Sequence, residues 1–225
     1  MVIKKLKIYG KLANRESLKD YISKIKNNPN TLKLRVLKHV ASNMADVHFL
    51  DVGAQMGAYL FHLSKENNFK QLDGIDIEPE FISLGNKYLV NGLDNVNLSL
   101  TNLFDINNKK YDLIFMSEVI EHVDNPLAFI TKIYSLLEAG GHFVITTPSG
   151  NSLTNILLNI KHFKDLSYIE NEKRGFGTET DHYYCWDKLT LFRLCNSVGF
   201  KYVDHRISNR FRPIKGQSII LIVKK

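Results

Sequence analysis

The fold is decided by residues 47–57, which read VHFLDVGAQMG. The segment opens with apolar and β-branched residues, so it predicts a buried strand that ends near Asp51 and Val52. Gly53 and Gly57 then predict a tight turn into a helix, because glycine adopts positive φ angles without a Cβ clash and lets the backbone approach a ligand closely. A strand, a glycine turn and a helix in this order indicate a site for a nucleotide-type cofactor.

A second acid ends the next predicted strand. Residues 71–80 read QLDGIDIEPE, a short apolar run that ends in Asp76, and Pro79 predicts the start of a helix. Doubly wound sheets bind ligands at the carboxyl ends of their strands, where a carboxylate can accept hydrogen bonds from both hydroxyls of a ribose. Asp76 is therefore predicted to bind a ribose. The alternative interpretation is an acid favoured by the dipole of the following helix.

The glycine spacing separates two classes of cofactor. The dinucleotide fingerprint requires G-x-G-x-x-G with its acid after the next strand, whereas residues 51–57 read DVGAQMG, with an acid before the first glycine. This spacing argues against a nicotinamide oxidoreductase. The segment resembles motif I of class I S-adenosylmethionine-dependent methyltransferases, an acid followed by G-x-G-x-G, with Gln55 in place of the middle glycine. The resemblance implies S-adenosylmethionine as cofactor, bound by Asp51, Gly53, Gly57, Asp76, Ile77, Asn102, Leu103 and Ser117.

Asn102 has two interpretations. It follows the third predicted strand, where the family commonly has an aspartate that reads the adenine amino group. An asparagine side-chain oxygen can accept the same hydrogen bond. Asparagine is equally typical of turns, which is the alternative.

Strand and helix patterns alternate along most of the chain. The alternation predicts an α/β fold with a doubly wound, mostly parallel sheet and helices on both faces. Two final strands joined by a loop resemble the seven-stranded methyltransferase sheet with its antiparallel last strand. We expect a helical cap over residues 1–45 and a methyltransferase domain over residues 46–225, in a single compact domain. Helices are predicted over residues 14–26, 31–44, 57–66, 79–90, 127–137 and 188–198, and strands end at Val52, Ile77, Leu100, Met116, Thr147, Asp204 and Val223.

A second chemistry-bearing segment is residues 111–123, which read YDLIFMSEVIEHV, a strand followed by acids and a histidine. If the chain turns helical at Ser117, then Glu118, Glu121 and His122 share one face, because they are spaced i, i+3 and i+4. Two carboxylates and an imidazole on one face can bind a divalent cation such as Mg²⁺. The E-x-x-E-H pattern resembles two metal-dependent groups of this fold, the 2′-O-methyltransferases of small-RNA 3′ ends and the O-methyltransferases of ubiquinone synthesis.

The resemblance leaves two mechanisms open. In the metal-dependent groups a later histidine is a further ligand, and His182 lies in a similar setting, so the tentative ligand set is Glu118, Glu121, His122 and His182. In metal-free relatives the corresponding histidines shape the pocket or act as a base. This resemblance implies His122 or His182 as the general base, with Glu118 orienting a hydroxyl. A neutral hydroxyl is a poor nucleophile, so either a base or a metal suits an oxygen acceptor.

These residues predict an enzyme that O-methylates a small hydroxylated metabolite or glycan unit. The alternatives are metal-dependent 2′-O-methylation of an RNA 3′ end and a catalytically inactive S-adenosylmethionine-binding domain.

Composition narrows the class further. The chain has 225 residues, a net charge of +7 and two cysteines, which offer neither a disulfide framework nor a zinc pattern. It has no apolar run of about 18 residues and no long apolar segment near its start, so we expect a soluble, cytoplasmic protein without a transmembrane segment. The positive charge indicates a solvated surface or an anionic partner, such as RNA, a nucleotide-linked sugar or a membrane surface.

Overall fold

A computed structural model describes residues 15–28, 31–151, 156–157, 160, 183–208 and 217–225. The described residues up to Phe115 form one compact unit, and those from Met116 onward form a second. Within the described ranges, no helix is both long enough and apolar enough to cross a lipid bilayer. The predicted boundary between a cap over residues 1–45 and a domain over residues 46–225 stays a prediction.

The first unit is built around parallel strands. β2 pairs in parallel with β1 on one side and with β3 on the other. Its helices are α1 (Arg15–Asn27), α2 (Leu32–Ala41), α3 (Ala58–Leu63) and α4 (Pro79–Tyr88). Its strands are β1 (Val47–Val52), β2 (Phe69–Asp76) and β3 (Val96–Leu100), and the start of β4 (Tyr111–Ser117) belongs to it as well.

The second unit contains the antiparallel part of the sheet. β7 is antiparallel to both β5 and β6, and its middle residues are buried because it lies between them. β6 lies at the end of the sheet and is largely exposed. The elements after β4 are a 3₁₀ helix (Ile120–His122), α5 (Pro126–Leu136), β5 (Leu137–Pro148), α6 (Lys188–Val198), β6 (Lys201–Ile207) and β7 (Ser218–Lys224).

The strand order confirms the predicted fold. The strands form one seven-stranded sheet in the order β3-β2-β1-β4-β5-β7-β6. The sheet is mostly parallel, and its last strand in the chain is antiparallel, as the resemblance implied. The helix predicted over residues 127–137 ends at Leu136, and β5 begins at Leu137 and includes Gly140 and Gly141.

Candidate functional site

The glycine turn after β1 requires left-handed backbone at three positions. Gly53 has φ +78°, Gly57 has φ +80° and Gln55 has φ +49°. The middle position of the motif therefore has the geometry that favours glycine although it carries a glutamine. A non-glycine residue in this region costs roughly 1–2 kcal/mol, so Gln55 holds a strained conformation.

A glycine that sequence reasoning missed packs against this turn. Gly85 lies in α4, and a Cβ atom on it would stand 2.5 Å from the carbonyl oxygen of Met56. Helix α4 can therefore approach the turn this closely only because residue 85 has no side chain. An isolated glycine inside a helical pattern was the available signal, since such a glycine usually has a packing reason.

Asp76 lies at the end of β2 and is oriented by two backbone groups. Its Oδ2 accepts a hydrogen bond from the Gln55 N–H at 2.8 Å, and its Oδ1 accepts one from the Glu78 N–H at 3.0 Å. Each carboxylate oxygen can accept a second bond, so the group retains acceptor capacity for two hydroxyls. The next residue, Ile77, exposes 55% of its surface and adds an apolar patch beside the carboxylate.

Asp51 is buried beside these groups without a hydrogen-bond partner for one of its oxygens. It is 1% exposed, and within the described residues its Oδ2 makes no hydrogen bond. Burial, reinforced by the negative charge of Asp76, raises the pKa of Asp51 to about 8, and the positive charge of Lys33 partly opposes this. A buried acid without a partner is costly, and a bound cation relieves that cost. S-adenosylmethionine carries a sulfonium and an ammonium group, so Asp51 and Asp76 fit it.

Asn102 and Leu103 begin the turn after β3. The Asn102 side-chain oxygen accepts a hydrogen bond from the Phe104 N–H at 3.0 Å and so caps the 3₁₀ turn Leu103–Asp105. Asn102 is exposed, whereas Leu103 is only 3% exposed. The observed role is that of a turn residue, and the predicted contact with adenine stays a prediction.

In the second unit, the helical turn expected at Ser117 does not form. β4 runs to Ser117, Glu118 has φ +54°, and only a short 3₁₀ helix follows at Ile120–His122. The prediction was wrong because the Glu118 N–H donates to the Thr146 carbonyl at 2.9 Å and keeps the backbone attached to β5. The i, i+3, i+4 helix face that would align Glu118, Glu121 and His122 is therefore absent from the described chain.

Two threonines of β5 hold the acids that follow β4. The Thr146 hydroxyl donates to Glu118 Oε1 at 2.8 Å and lies 3.0 Å from the Ser117 hydroxyl. The Thr147 hydroxyl donates to Glu121 Oε2 at 3.0 Å, and Glu121 is 1% exposed. Sequence reasoning missed both threonines, although a polar pair at the end of an apolar strand was visible.

The predicted metal ligands do not converge in the described part of the chain. Among the described residues, no group of three or more His, Cys, Asp or Glu side chains is arranged to hold a metal ion. Glu121 faces Thr147, and His122 Nε2 lies 4.0 Å from Glu121 Oε1, with the His122 side chain 29% exposed. His182 lies outside the described residues. Because His182 is one of its four members, the predicted set of Glu118, Glu121, His122 and His182 stays a prediction.

The segment that follows His182 in the sequence is attached to the same turn. The Tyr183 N–H donates to the Glu121 carbonyl at 2.8 Å, and the Tyr184 hydroxyl donates to the Asp124 carbonyl at 3.3 Å. The Tyr184 ring stacks on Trp186 with centroids 5.4 Å apart. Tyr183 is 64% exposed, so an aromatic surface stands beside the Glu121 backbone.

The strand order, the glycine turn and the acid that ends β2 define a class I S-adenosylmethionine-dependent methyltransferase fold. A family model described as a methyltransferase domain matches residues 15–205. The chain belongs to that methyltransferase family.

Curated relatives of the chain include several named methyltransferases. It is 28% identical over 153 residues to the mitochondrial ubiquinone biosynthesis O-methyltransferase of Dictyostelium discoideum, covering 63% of this chain and 44% of that protein. It is 27% identical over 116 residues to malonyl-[acyl-carrier protein] O-methyltransferase 1 of Ilyobacter polytropus, covering 51% and 42%. It is 23% identical over 198 residues to a tRNA U34 carboxymethyltransferase of Nautilia profundicola, covering 84% and 61%. The matches thus span about half the length of these relatives.

Solved structures support the fold alone. Magnesium protoporphyrin IX methyltransferase from Synechocystis, with bound SAH, matches with a TM-score of 0.64 at 15% identity, covering 91% of this chain and 83% of that one. A SAM-dependent methyltransferase from Aquifex aeolicus matches with a TM-score of 0.59 at 20% identity, covering 90% and 97%.

Proposed function

We propose that the chain is an S-adenosylmethionine-dependent methyltransferase that methylates a hydroxyl oxygen of a small hydroxylated metabolite or glycan unit. The observation that carries the proposal is the pair of acids at the ends of β1 and β2. Asp76 is oriented by two backbone N–H groups, and Asp51 is buried with one oxygen lacking a hydrogen-bond partner in the described residues. Asp76 can accept hydrogen bonds from the hydroxyls of a nucleoside, and the buried Asp51 beside it can bind a positive charge on that nucleoside.

The two acids have different tasks in this proposal. Asp76 accepts hydrogen bonds from the ribose hydroxyls, while the Gln55 and Glu78 N–H groups keep its carboxylate in position. Asp51 faces positive charge and becomes ionised when that charge is bound, because a nearby cation lowers the pKa of a carboxyl. When bound, S-adenosylmethionine supplies a methyl group attached to a sulfonium. The sulfur leaves as a neutral thioether, so no general acid is needed.

His122 is the proposed base for the acceptor hydroxyl. Its side chain is partly exposed, and its Nε2 lies 4.0 Å from Oε1 of the buried Glu121 carboxylate. A positioned base accelerates such a step by about 10² to 10⁴-fold. Glu118 is the residue proposed to orient the hydroxyl, and His182 stays an alternative base outside the described residues.

An oxygen acceptor is supported by the curated relatives, of which the Dictyostelium and Ilyobacter proteins are named O-methyltransferases. The metal-dependent alternative lacks support in the described geometry, because Glu121 is directed at Thr147. RNA as acceptor has two observations in its favour, the net charge of +7 and the match to a protein named a tRNA U34 carboxymethyltransferase.

The cofactor part is tested by calorimetry. S-adenosylmethionine is titrated into EDTA-treated protein, with and without Mg²⁺, and reduced dinucleotide is titrated separately. We expect binding to the wild type and roughly 100-fold weaker binding to Asp76→Ala, because hydrogen bonds to a charged group contribute about 1.5–3 kcal/mol each. The matched control is Asp105→Ala, an exposed acid in the same unit. Binding of reduced dinucleotide alone would overturn the class of cofactor.

The acceptor part is tested with methyl-tritiated cofactor and panels of phenols, sugars and short RNAs. We expect transfer to a small hydroxylated compound, and His122→Asn should lower kcat by about 10² to 10⁴-fold while cofactor affinity is retained. Transfer to RNA alone would overturn the acceptor class. Mg²⁺ binding that is lost in His122→Asn would support the metal-dependent alternative. Intact cofactor binding without transfer to any compound would support an inactive binding domain.

A further inference from the structure

A surface groove of about 570 Å³ lies between α1 and the C-terminal end of α4, within the first unit. Leu18, Ile22 and Tyr88 form its apolar part. Ile22 is 9% exposed and forms the floor, whereas the Tyr88 ring is 38% exposed. Concave sites of roughly 300–1,000 Å³ are typical of small-molecule binding, so the groove is large enough for a ligand with an apolar segment.

The rim of the groove is positively charged. Lys19 and Lys26 line it, and the Lys87 ammonium lies 5.0 Å from the centroid of the Tyr88 ring. Among the described residues, no acidic side chain lines the groove. Ammonium groups gathered without a counter-charge attract anions and raise their local concentration.

Two further contacts extend this positive character. Lys26 and Lys65 lie over the same Phe61 ring, with their ammonium groups 5.7 Å and 4.1 Å from its centroid. Lys65 thus shares a ring contact with Lys26, although neither Lys65 nor Phe61 is among the described residues that line the groove. The Ser23 hydroxyl accepts a bond from the Asn27 amide at 3.1 Å, which leaves its own proton for an anionic oxygen.

We propose that this groove binds a single-chain amphiphile with a phosphate monoester headgroup. The alkyl chain lies on Leu18, Ile22 and Tyr88, and the phosphate lies between Lys19 and Lys26. The described residues that line the groove include none from the glycine turn, so the site goes beyond the proposed methyl transfer. The lysines of the groove account for part of the net positive charge of the chain.

The groove favours such a ligand over RNA. Single-stranded RNA is bound along extended basic tracks by aromatic rings on which successive bases stack. Among its described lining residues, the groove has a single exposed ring, Tyr88, and the remaining apolar side chains are aliphatic. An alkyl chain uses aliphatic surface, and a dianionic phosphate uses clustered lysines as point charges.

The test uses dodecyl phosphate below its critical micelle concentration, titrated into the full chain by calorimetry and by NMR of the Ile22 methyl groups. We expect binding that shifts the Ile22 signal, and at least about tenfold weaker binding of inorganic phosphate and of dodecyl maltoside, which is about 1.4 kcal/mol. The double variant Lys19→Glu/Lys26→Glu should weaken binding about tenfold or more. The matched control is Lys24→Glu, an exposed residue of α1 outside the groove.

Several results would overturn the proposal. If dodecyl maltoside bound as tightly as dodecyl phosphate, the lysines would not contribute to binding. If inorganic phosphate bound as tightly, the apolar floor would not contribute. If the double variant and Lys24→Glu weakened binding equally, the ligand would not bind in the groove. Displacement of dodecyl phosphate by a short single-stranded RNA of higher affinity would assign the groove to nucleic acid. A separate titration of S-adenosylmethionine distinguishes these failures from failure of the proposed methyltransferase function.

Discussion

Asp51 in the first unit and Glu121 in the second are equally buried, each 1% exposed, yet their surroundings differ. Within the described residues, Asp51 Oδ2 has no hydrogen-bond partner, and burial beside Asp76 raises the pKa of Asp51 to about 8. Glu121 accepts a hydrogen bond from Thr147, and its backbone carbonyl accepts one from Tyr183. Glu121 Oε1, like Asp51 Oδ2, accepts no hydrogen bond within the described residues. The two acids therefore differ in the bonds at Glu121 Oε2 and at its backbone carbonyl, which connect segments of the chain.

The difference shows that burial alone does not identify a binding residue. A buried carboxylate with hydrogen-bond donors around it stabilises its surroundings, whereas one without them destabilises the protein until a ligand arrives. Two residues with strained backbone differ in the same way. Gln55 stands in the glycine turn and Glu118 follows β4, both with positive φ, but the Glu118 side chain accepts a bond from Thr146.

Removal of the Glu121 carboxylate tests the structural side of the comparison and should have the largest effect. We expect Glu121→Ala to lower the free energy of unfolding by about 3 kcal/mol, because it removes a charge-assisted bond and leaves the buried Thr147 hydroxyl without an acceptor. Urea unfolding followed by circular dichroism measures this. Glu121→Gln keeps the acceptor and the volume, so it should lose less than half as much. A more stable Glu121→Ala variant would place Glu121 in the same category as Asp51.

Crowding of the glycine turn tests how rigid the backbone around Asp51 is. Gly85→Ala should lower the free energy of unfolding by about 2 kcal/mol, because its Cβ would stand 2.5 Å from the Met56 carbonyl oxygen. It should also weaken binding of S-adenosylmethionine. Ser83→Ala on the same helix is the control. Equal unfolding midpoints for the two variants would show that the turn yields easily.

Substitution of Asp51 tests the ligand side of the comparison. The folded state holds a proton on Asp51 up to about pH 8, whereas the unfolded chain releases it near the ordinary pKa of 3.8. Wild-type stability is therefore fully present below about pH 4 and falls as the pH rises towards 8. Asp51→Asn does not titrate at this position, so it should not lose stability in this way as the pH rises. We expect the variant to be about 1–2 kcal/mol more stable than wild type near pH 8. The stability of the wild type can change by at most about 1.36 kcal/mol per pH unit for one proton.

The measurement is thermal unfolding of Asp51→Asn and wild type at a series of pH values, with the exposed Asp105→Asn as control. The two curves should coincide near pH 4 and diverge upward, while cofactor affinity falls in the variant. A difference independent of pH would mean that Asp51 is already ionised and partnered in the folded state.

The smallest effects come from the two strained residues. Gln55→Gly should change the free energy of unfolding by less than about 1 kcal/mol, because relief of the left-handed strain is offset by the greater freedom of the unfolded chain. Glu118→Gly should be about 1 kcal/mol less stable than wild type, since it also loses the bond from Thr146. Urea midpoints of both variants measure this. Equal changes would contradict a structural role for the Glu118 side chain.

Much of the fold could be predicted from the sequence because the signals for strands and helices are local. The apolar run before Asp51 and the run that ends in Asp76 both proved to be strands, and Pro79 begins α4 as predicted. The antiparallel position of β7 came from the resemblance, since periodicity carries no information on strand direction. The start of β5 at Leu137 was missed because Gly140 and Gly141 are usually chain breakers.

The site was accessible only in part. The position of Asp76 could be predicted from the strand that precedes it, but its bond from the Gln55 N–H depends on how the turn folds back. The left-handed conformation of Glu118 depends on a bond to Thr146, far along the chain, so local spacing favoured a helix instead. The missing partner of Asp51 Oδ2 among the described residues likewise depends on tertiary packing.

The proton held by Asp51 has a consequence for how cofactor binding responds to ionic strength. With a pKa of about 8, Asp51 is mostly protonated at neutral pH. On the proposed function, an incoming cation displaces that proton, so one positive charge is exchanged for another and the net charge around the turn is nearly constant. Long-range attraction then contributes little, and added salt should leave the affinity almost unchanged near pH 7. Near pH 9 the ionised carboxylate attracts the cation directly, and salt should weaken binding.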